Sequence, residues 1–146
     1  MNALESSAMR YAPLLGRVLL ALIFILSGYG KIGGFAQTAA VIAGKGLPMA
    51  EVLLVVTIAI ELGGGLMLLA GWQARWAALA IFLWLIPVTF LFHNYWAVDA
   101  AQTRNQFNHF YKNLCIMGGM LYVFAYGPGP FSLGKAGTSR AEPAAG

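Results

Sequence analysis

Charge is what this chain has least of. Only 10% of its 146 residues are Asp, Glu, Lys or Arg, and 60% are hydrophobic, against roughly 25% charged and 45–50% apolar in a soluble domain. Cysteine is scarcer still, since Cys115 stands alone. One thiol per chain excludes a disulfide framework, a CxxC redox pair and a thiolate metal site, so Cys115 is expected to be a small buried hydrophobe. Nucleophilic catalysis has no visible machinery, because neither Ser27 nor Cys115 has a histidine within its helical turn. The glycines at 63–65 lack the strand context of a nucleotide-binding loop. The net charge of +4 comes from dispersed Lys and Arg, so no nucleic-acid surface is expected.

What is present is long apolar sequence, with a mean hydropathy of +0.72. A helix needs about 20 apolar residues to cross a hydrocarbon core about 30 Å thick. Four runs reach that length, at 14–32, 49–70, 76–96 and 109–127. They are continuous rather than alternating, which excludes a transmembrane barrel. The expected fold is therefore an all-α, antiparallel up-down four-helix bundle embedded in the lipid bilayer as a single domain. Short flexible tails are expected at 1–12 and 135–146. The first run has a signal-peptide look, but its polar residues match those of the later runs, so it reads as a membrane helix. Five Lys and Arg fall on the side of the termini (Arg10, Arg17, Arg75, Lys135, Arg140) and four on the other (Lys31, Lys45, Arg104, Lys112). That excess places the termini in the cytoplasm.

The links are uneven. The stretch GGFAQTAAVIAGKGLP is too apolar for a solvated loop and is expected at the membrane interface, with Pro48 opening helix two. GPGP at 127–130 ends helix four. Trp72, Trp76, Tyr95, Trp96 and Tyr126 sit near helix ends, as an aromatic belt requires. Pro87 falls in the middle of helix three, where it makes either a packing kink or a cavity beside one.

Glu61 is the costly residue, a carboxylate inside AIELGGGLMLLAGW. At 1.5 Å per residue Glu61 lies about 15 Å deeper than Glu51, and Arg17 about 21 Å deeper than Lys31. If Lys31 and Glu51 mark one surface, a snorkelling Arg17 reaches Glu61. Two interpretations stay open: an intramembrane ion pair between Arg17 and Glu61, or a cavity in which Glu61 serves as a proton or ligand site.

A second polar set gathers at the end opposite the termini. His93 and Asn94 close helix three, while Asn105, His109, Lys112 and Asn113 form one helical stripe and Lys31 and Glu51 stand at the same level. This polar mouth is either ordinary interfacial polarity or a binding site for a redox-active molecule such as a quinone headgroup. Haem is disfavoured, because only two histidines exist and no attachment motif is present. Metal is disfavoured for want of ligands.

RVLLALIFILSGYGKIGGF with Arg17 and Lys31, IELGGGLMLLAG with Glu61, FHNYW with His93, and FYKNLCIMGGMLYVFAYGPGPFSL with Asn113 together resemble the DoxX family of small membrane proteins. The resemblance runs from about residue 14 to 134. It implies a four-helix bundle in a bacterial cytoplasmic (inner) membrane. It also implies a role beside redox and sulfur chemistry, as membrane subunit or partner of a soluble redox enzyme or sulfurtransferase in oxidative-stress defence. One branch is similar to the membrane subunit of a thiosulfate:quinone oxidoreductase. The expected protein has no independent catalysis, contacts quinone as part of such a complex, and is compatible with a homo-oligomer. Arg17, Lys31, Glu61, His93 and Asn113 are the polar set the resemblance carries over. The alternative is a small-molecule or lipid binder or transporter that uses Glu61.

Overall fold

The structure is a computed structural model that describes residues 3–134, with side chains from residue 5 onward. The expected tail at 135–146 lies outside the described residues. Among the described residues every regular element is helical, in the order α1 (Ala3–Gly33), α2 (Phe35–Gly44), α3 (Ala50–Ile58), a π-helical turn (Ala59–Gly63), α4 (Gly64–Ala70), α5 (Ala74–Phe92), a short 3-10 turn (Tyr95–Ala97) and α6 (Ala100–Tyr126). α3, the π-turn and α4 make one rod, Ala50–Ala70.

Among the described residues, three stretches are long and apolar enough to cross a membrane: Glu5–Gly33, Ala50–Ala70 and Ala74–Ala97. α6 has the length, at 27 residues, but its first three turns carry Gln102, Arg104, Asn105, Gln106 and Asn108. It lies antiparallel along α5, with Asn113 beside Thr89 and Arg75 beside Phe124.

Several boundaries move from expectation. α1 begins at Ala3, so most of the supposed tail 1–12 is helix. α6 begins at Ala100, nine residues before 109, because Asp99 caps it by accepting a hydrogen bond from the Gln102 N–H at 2.9 Å. The apolar link after α1 is the helix α2, which packs Ala39 and Ile42 against Leu54 of α3. Its hydrophobicity covers another helix.

The interior mixes large apolar residues such as Leu54, Leu68, Ile81 and Met120 with small and polar ones. Ala21, Ala74, Ala77, Ala78, Gly64 and Gly65 are buried together with Arg17, Thr57, Glu61, Thr89 and Asn113. Leu19, Leu26, Val55, Leu66, Leu83 and Phe90 face outward. This is the arrangement of a chain whose solvent is lipid: burying Leu gains little there, and small residues let backbones approach. Cys115 also faces outward, which corrects its expected burial.

Two glycines set where α1 crosses the rod. A Cβ on Gly28 would lie 2.8 Å from the Leu62 backbone nitrogen, and one on Gly65 would lie 2.9 Å from Ile25 Cγ1 and 3.2 Å from the Ile25 backbone nitrogen. Those contacts fix an antiparallel register that brings Lys31 beside Glu61 and Arg17 beside Gly71. Gly28→Ala is expected to lower stability in detergent by about 1–3 kcal/mol through overpacking against backbone. Gly30→Ala, where nothing lies within 4 Å, is expected to be neutral or stabilising by up to about 1 kcal/mol. Paired thermal-unfolding curves check this, and equal midpoints for the two variants would contradict the crossing.

Candidate functional site

The intramembrane ion pair exists, with a different cation. Lys31 Nζ lies 2.7 Å from Glu61 Oε2 and also donates to Ser27 Oγ, one turn back on α1. The Glu61 side chain is 11% exposed and that of Lys31 25%. The expected Arg17–Glu61 pair is not formed. Arg17 is buried and donates instead to the backbone carbonyls of Pro128 at 2.7 Å and Phe131 at 2.8 Å.

The register explains the exchange. Lys31 sits level with Glu61, not with Glu51, a displacement of ten residues or about 15 Å along the rod. α1 stops short of the rod's far end, and α2 fills the remaining height. Arg17 therefore sits at the opposite end, where the chain after α6 folds back. There the Leu133 N–H donates to the Ala70 carbonyl and the Gly134 N–H to that of Gly71. Arg75 likewise donates to the carbonyls of Phe124 and Ala125. Arg75 thus meets free carbonyls in the last turn of α6, a place that favours a cation without any carboxylate, while Arg17 meets carbonyls of the turn that follows.

Glu61 occupies the middle of the π-turn, a local widening that recurs at functional sites. Beside it opens a cavity of about 480 Å³ between α1, α2, α3, α5 and α6. Its walls are mainly apolar, including Phe24, Ile42, Leu53, Leu85, Val88 and Ile116. Its polar lining is Ser27, Lys31, Thr38, Thr57 and Glu61 on one side and His93, Lys112 and Asn113 on the other, with the Trp84 indole between them along α5. Trp84 Nε1 is buried and has no hydrogen-bond partner. The Lys31 ammonium has three N–H donors, and Ser27 and Glu61 take two of them. The floor of the cavity thus offers donors to an incoming acceptor.

The mouth is partly as expected. His93, Lys112 and Asn113 line the cavity. His93 Nδ1 lies 2.9 Å from Gln106 Oε1, and Asn113 Nδ2 donates to Thr89 Oγ1 at 3.0 Å in a buried bridge between α6 and α5. His109 stacks on His93 with centroids 5.1 Å apart, and Lys112 Nζ meets His109 Nδ1 at 2.9 Å. Glu51 and Asn105 are exposed and Asn94 is half-buried, and none of the three lines the cavity. Tyr95 and Trp96 pack with Phe107 and Phe110 beside the mouth. Pro87 does border the cavity. Sequence reasoning missed Ser27 and Thr57. The signal for Ser27 was its position four residues before Lys31, one turn away on the same face.

These features define a membrane helical bundle that encloses a largely apolar cavity with a charged, donor-rich floor. Residues 12–94 match the DoxX family. Inner membrane protein YqjF of Escherichia coli (strain K12) is 35% identical over 122 residues, 84% of this chain and 88% of that protein. Inner membrane protein YphA of the same organism is 27% identical over 122 residues, 84% and 87% of the two chains. The Surfeit locus protein 4 homolog of Schizosaccharomyces pombe (strain 972 / ATCC 24843) is 28% identical over 131 residues, 88% of this chain and 38% of that one. No solved structure matches. The chain belongs to the DoxX family, and an inner-membrane location follows from its E. coli relatives together with its membrane-spanning helices.

Removing one member of a buried pair strands the other charge, at a cost of about 3–5 kcal/mol, whereas replacing both with apolar residues is often neutral. Lys31→Met is therefore expected to unfold readily in detergent, and Lys31→Met with Glu61→Leu to recover most of the lost stability. A double variant no better than the single one would contradict the pairing.

Proposed function

We infer that this protein is a membrane-embedded binding protein for a small, mainly apolar molecule whose polar end accepts hydrogen bonds, and that a quinone headgroup is the class it takes. The observation that carries the reading is the unpartnered, buried N–H of Trp84 in the wall of an apolar cavity that also holds Lys31. A buried donor without a partner is costly, and a ligand carbonyl accepting from it removes that cost. The cavity volume of about 480 Å³ falls within the roughly 300–1,000 Å³ of small-molecule sites. Glu61 keeps Lys31 in place, and the spare N–H of Lys31 provides a second donor.

The finer role, a membrane partner for a soluble redox enzyme or sulfurtransferase, draws its support from the resemblance and from the exposed polar turns at the start of α6, where Arg104, Asn105 and Lys112 are accessible. Arg10, Arg17 and Arg75 lie at the end of the termini, which supports termini in the cytoplasm.

Trp84→Phe keeps the ring and removes the donor. In nanodiscs, a decyl-substituted benzoquinone is expected to bind this variant about tenfold more weakly than the parent, the equivalent of one lost hydrogen bond at about 1.4 kcal/mol. Unchanged affinity, read by quenching of the remaining tryptophans or by calorimetry, would remove Trp84 from the site. Absence of any binding by the parent would remove the quinone reading.

A further inference from the structure

Five residues that line the cavity also face outward: Ile23, Val41, Pro87, Leu91 and Lys112. A side chain that lines a cavity and is exposed as well marks a place where the wall is open. Four of the five are apolar, and three of these, Val41 on α2 with Pro87 and Leu91 on α5, stand on the two helices that flank a gap in the wall.

Helix packing explains that gap. α5 packs on α4 and on the π-turn, but among the described residues its backbone does not come close to that of α3. The two helices therefore part on the mouth side of Glu61. Phe92, at the end of α5, packs against the cluster of Ala39, Ile42 and Leu54 and closes only the far end of the opening. Below that plug lies a slot flanked by α2 and α5. It opens from α5 within Ala74–Ala97, a stretch apolar and long enough to cross the membrane, so what lies outside is hydrocarbon. Trp84, Pro87, Val88 and Leu91 fall at i, i+3, i+4 and i+7, one stripe of α5 that leads from the slot to the unpartnered indole N–H. Leu91 lies about 10 Å from Trp84 along the helix axis, which separates a polar anchor from an apolar exit.

We propose that the slot between α2 and α5 holds an apolar chain on the ligand, so that the site takes a chain-bearing amphiphile directly from the bilayer rather than a small solute from water. This rests on the cavity being the ligand site inferred above, and it adds the ligand's second half and its route. The head accepts hydrogen bonds from Trp84 and Lys31, and the chain runs past Val88, Pro87 and Leu91 into lipid. The aqueous mouth, with Lys112 and His93, is then not the way in.

The test compares two probes dosed at equal mole fraction in nanodiscs, a benzoquinone without a side chain and the same ring carrying a decyl chain. The decyl compound is expected to bind at least tenfold more tightly, and Val41→Trp with Leu91→Trp is expected to abolish that difference. Equal affinities that the plugged variant does not change would overturn the slot and leave the head site standing. Failure of both probes to bind would instead defeat the quinone reading. Fluorescence then decides the slot alone, using protein whose only tryptophan is Trp84 (Trp72→Phe, Trp76→Phe, Trp96→Phe). Quenching by phospholipids brominated along the chain, relieved by Val41→Phe with Leu91→Phe, is the expected result. Quenching by aqueous iodide in place of brominated lipid would overturn the proposal.

Discussion

A carboxylate that folds into a membrane bundle must bring its counter-charge with it, and the contact between Glu61 and Lys31 is the constraint the upper half of this structure obeys. Desolvating both ions costs several kcal/mol each, so the pair persists only where its geometry is good and its remaining donors are occupied. Ser27 supplies one such partner from the preceding turn of α1. The approach of α1 to the rod at Gly28 and Gly65 supplies the geometry, since a side chain at either position would push the helices apart. Pair and crossing are mutually dependent: the glycines set the distance, and the charges select the register.

That register has consequences. With Lys31 level with Glu61, α1 ends partway along the rod, and the exposed flank of α3 needs another cover. α2 provides it. A ten-residue helix laid across α3 does not fill the space a full-length helix would occupy, and α5 leans toward α6 rather than toward α3. The cavity is what remains between them. Its apolar walls and charged floor arise from one cause, the short reach of α1.

The apolar core of the rod and most of α5 were legible in the sequence, because continuous Leu, Val and Ala leave no other assignment at that length. His93, Lys112 and Asn113 were legible as a polar group from helical spacing. The start of α6 was legible only in part: the stripe from Asn105 onward implies helix there, but Gln102 and Arg104 read as loop, and only Asp99 as a cap marks the true beginning. α2 was hidden between glycines that frame it as a link. The partner of Glu61 was out of reach for a different reason: relative depth depends on where α1 ends against the rod, which is decided by Gly28 and Gly65 meeting backbone. Arg17 satisfies itself on main-chain carbonyls, and no pattern of side chains announces such partners. The N–H of Trp84 is left without a partner in the structure, and no sequence pattern announces that.

In this member of the DoxX family, Lys31 and Glu61 meet between helices beside the cavity. Charge exchange tests the pairing most directly. Lys31→Glu and Glu61→Lys are each expected to abolish recovery of folded, monodisperse protein in detergent, and their combination to restore it with a melting temperature close to that of the parent. Restoration by Arg17→Glu with Glu61→Arg, and not by the Lys31 exchange, would contradict the account.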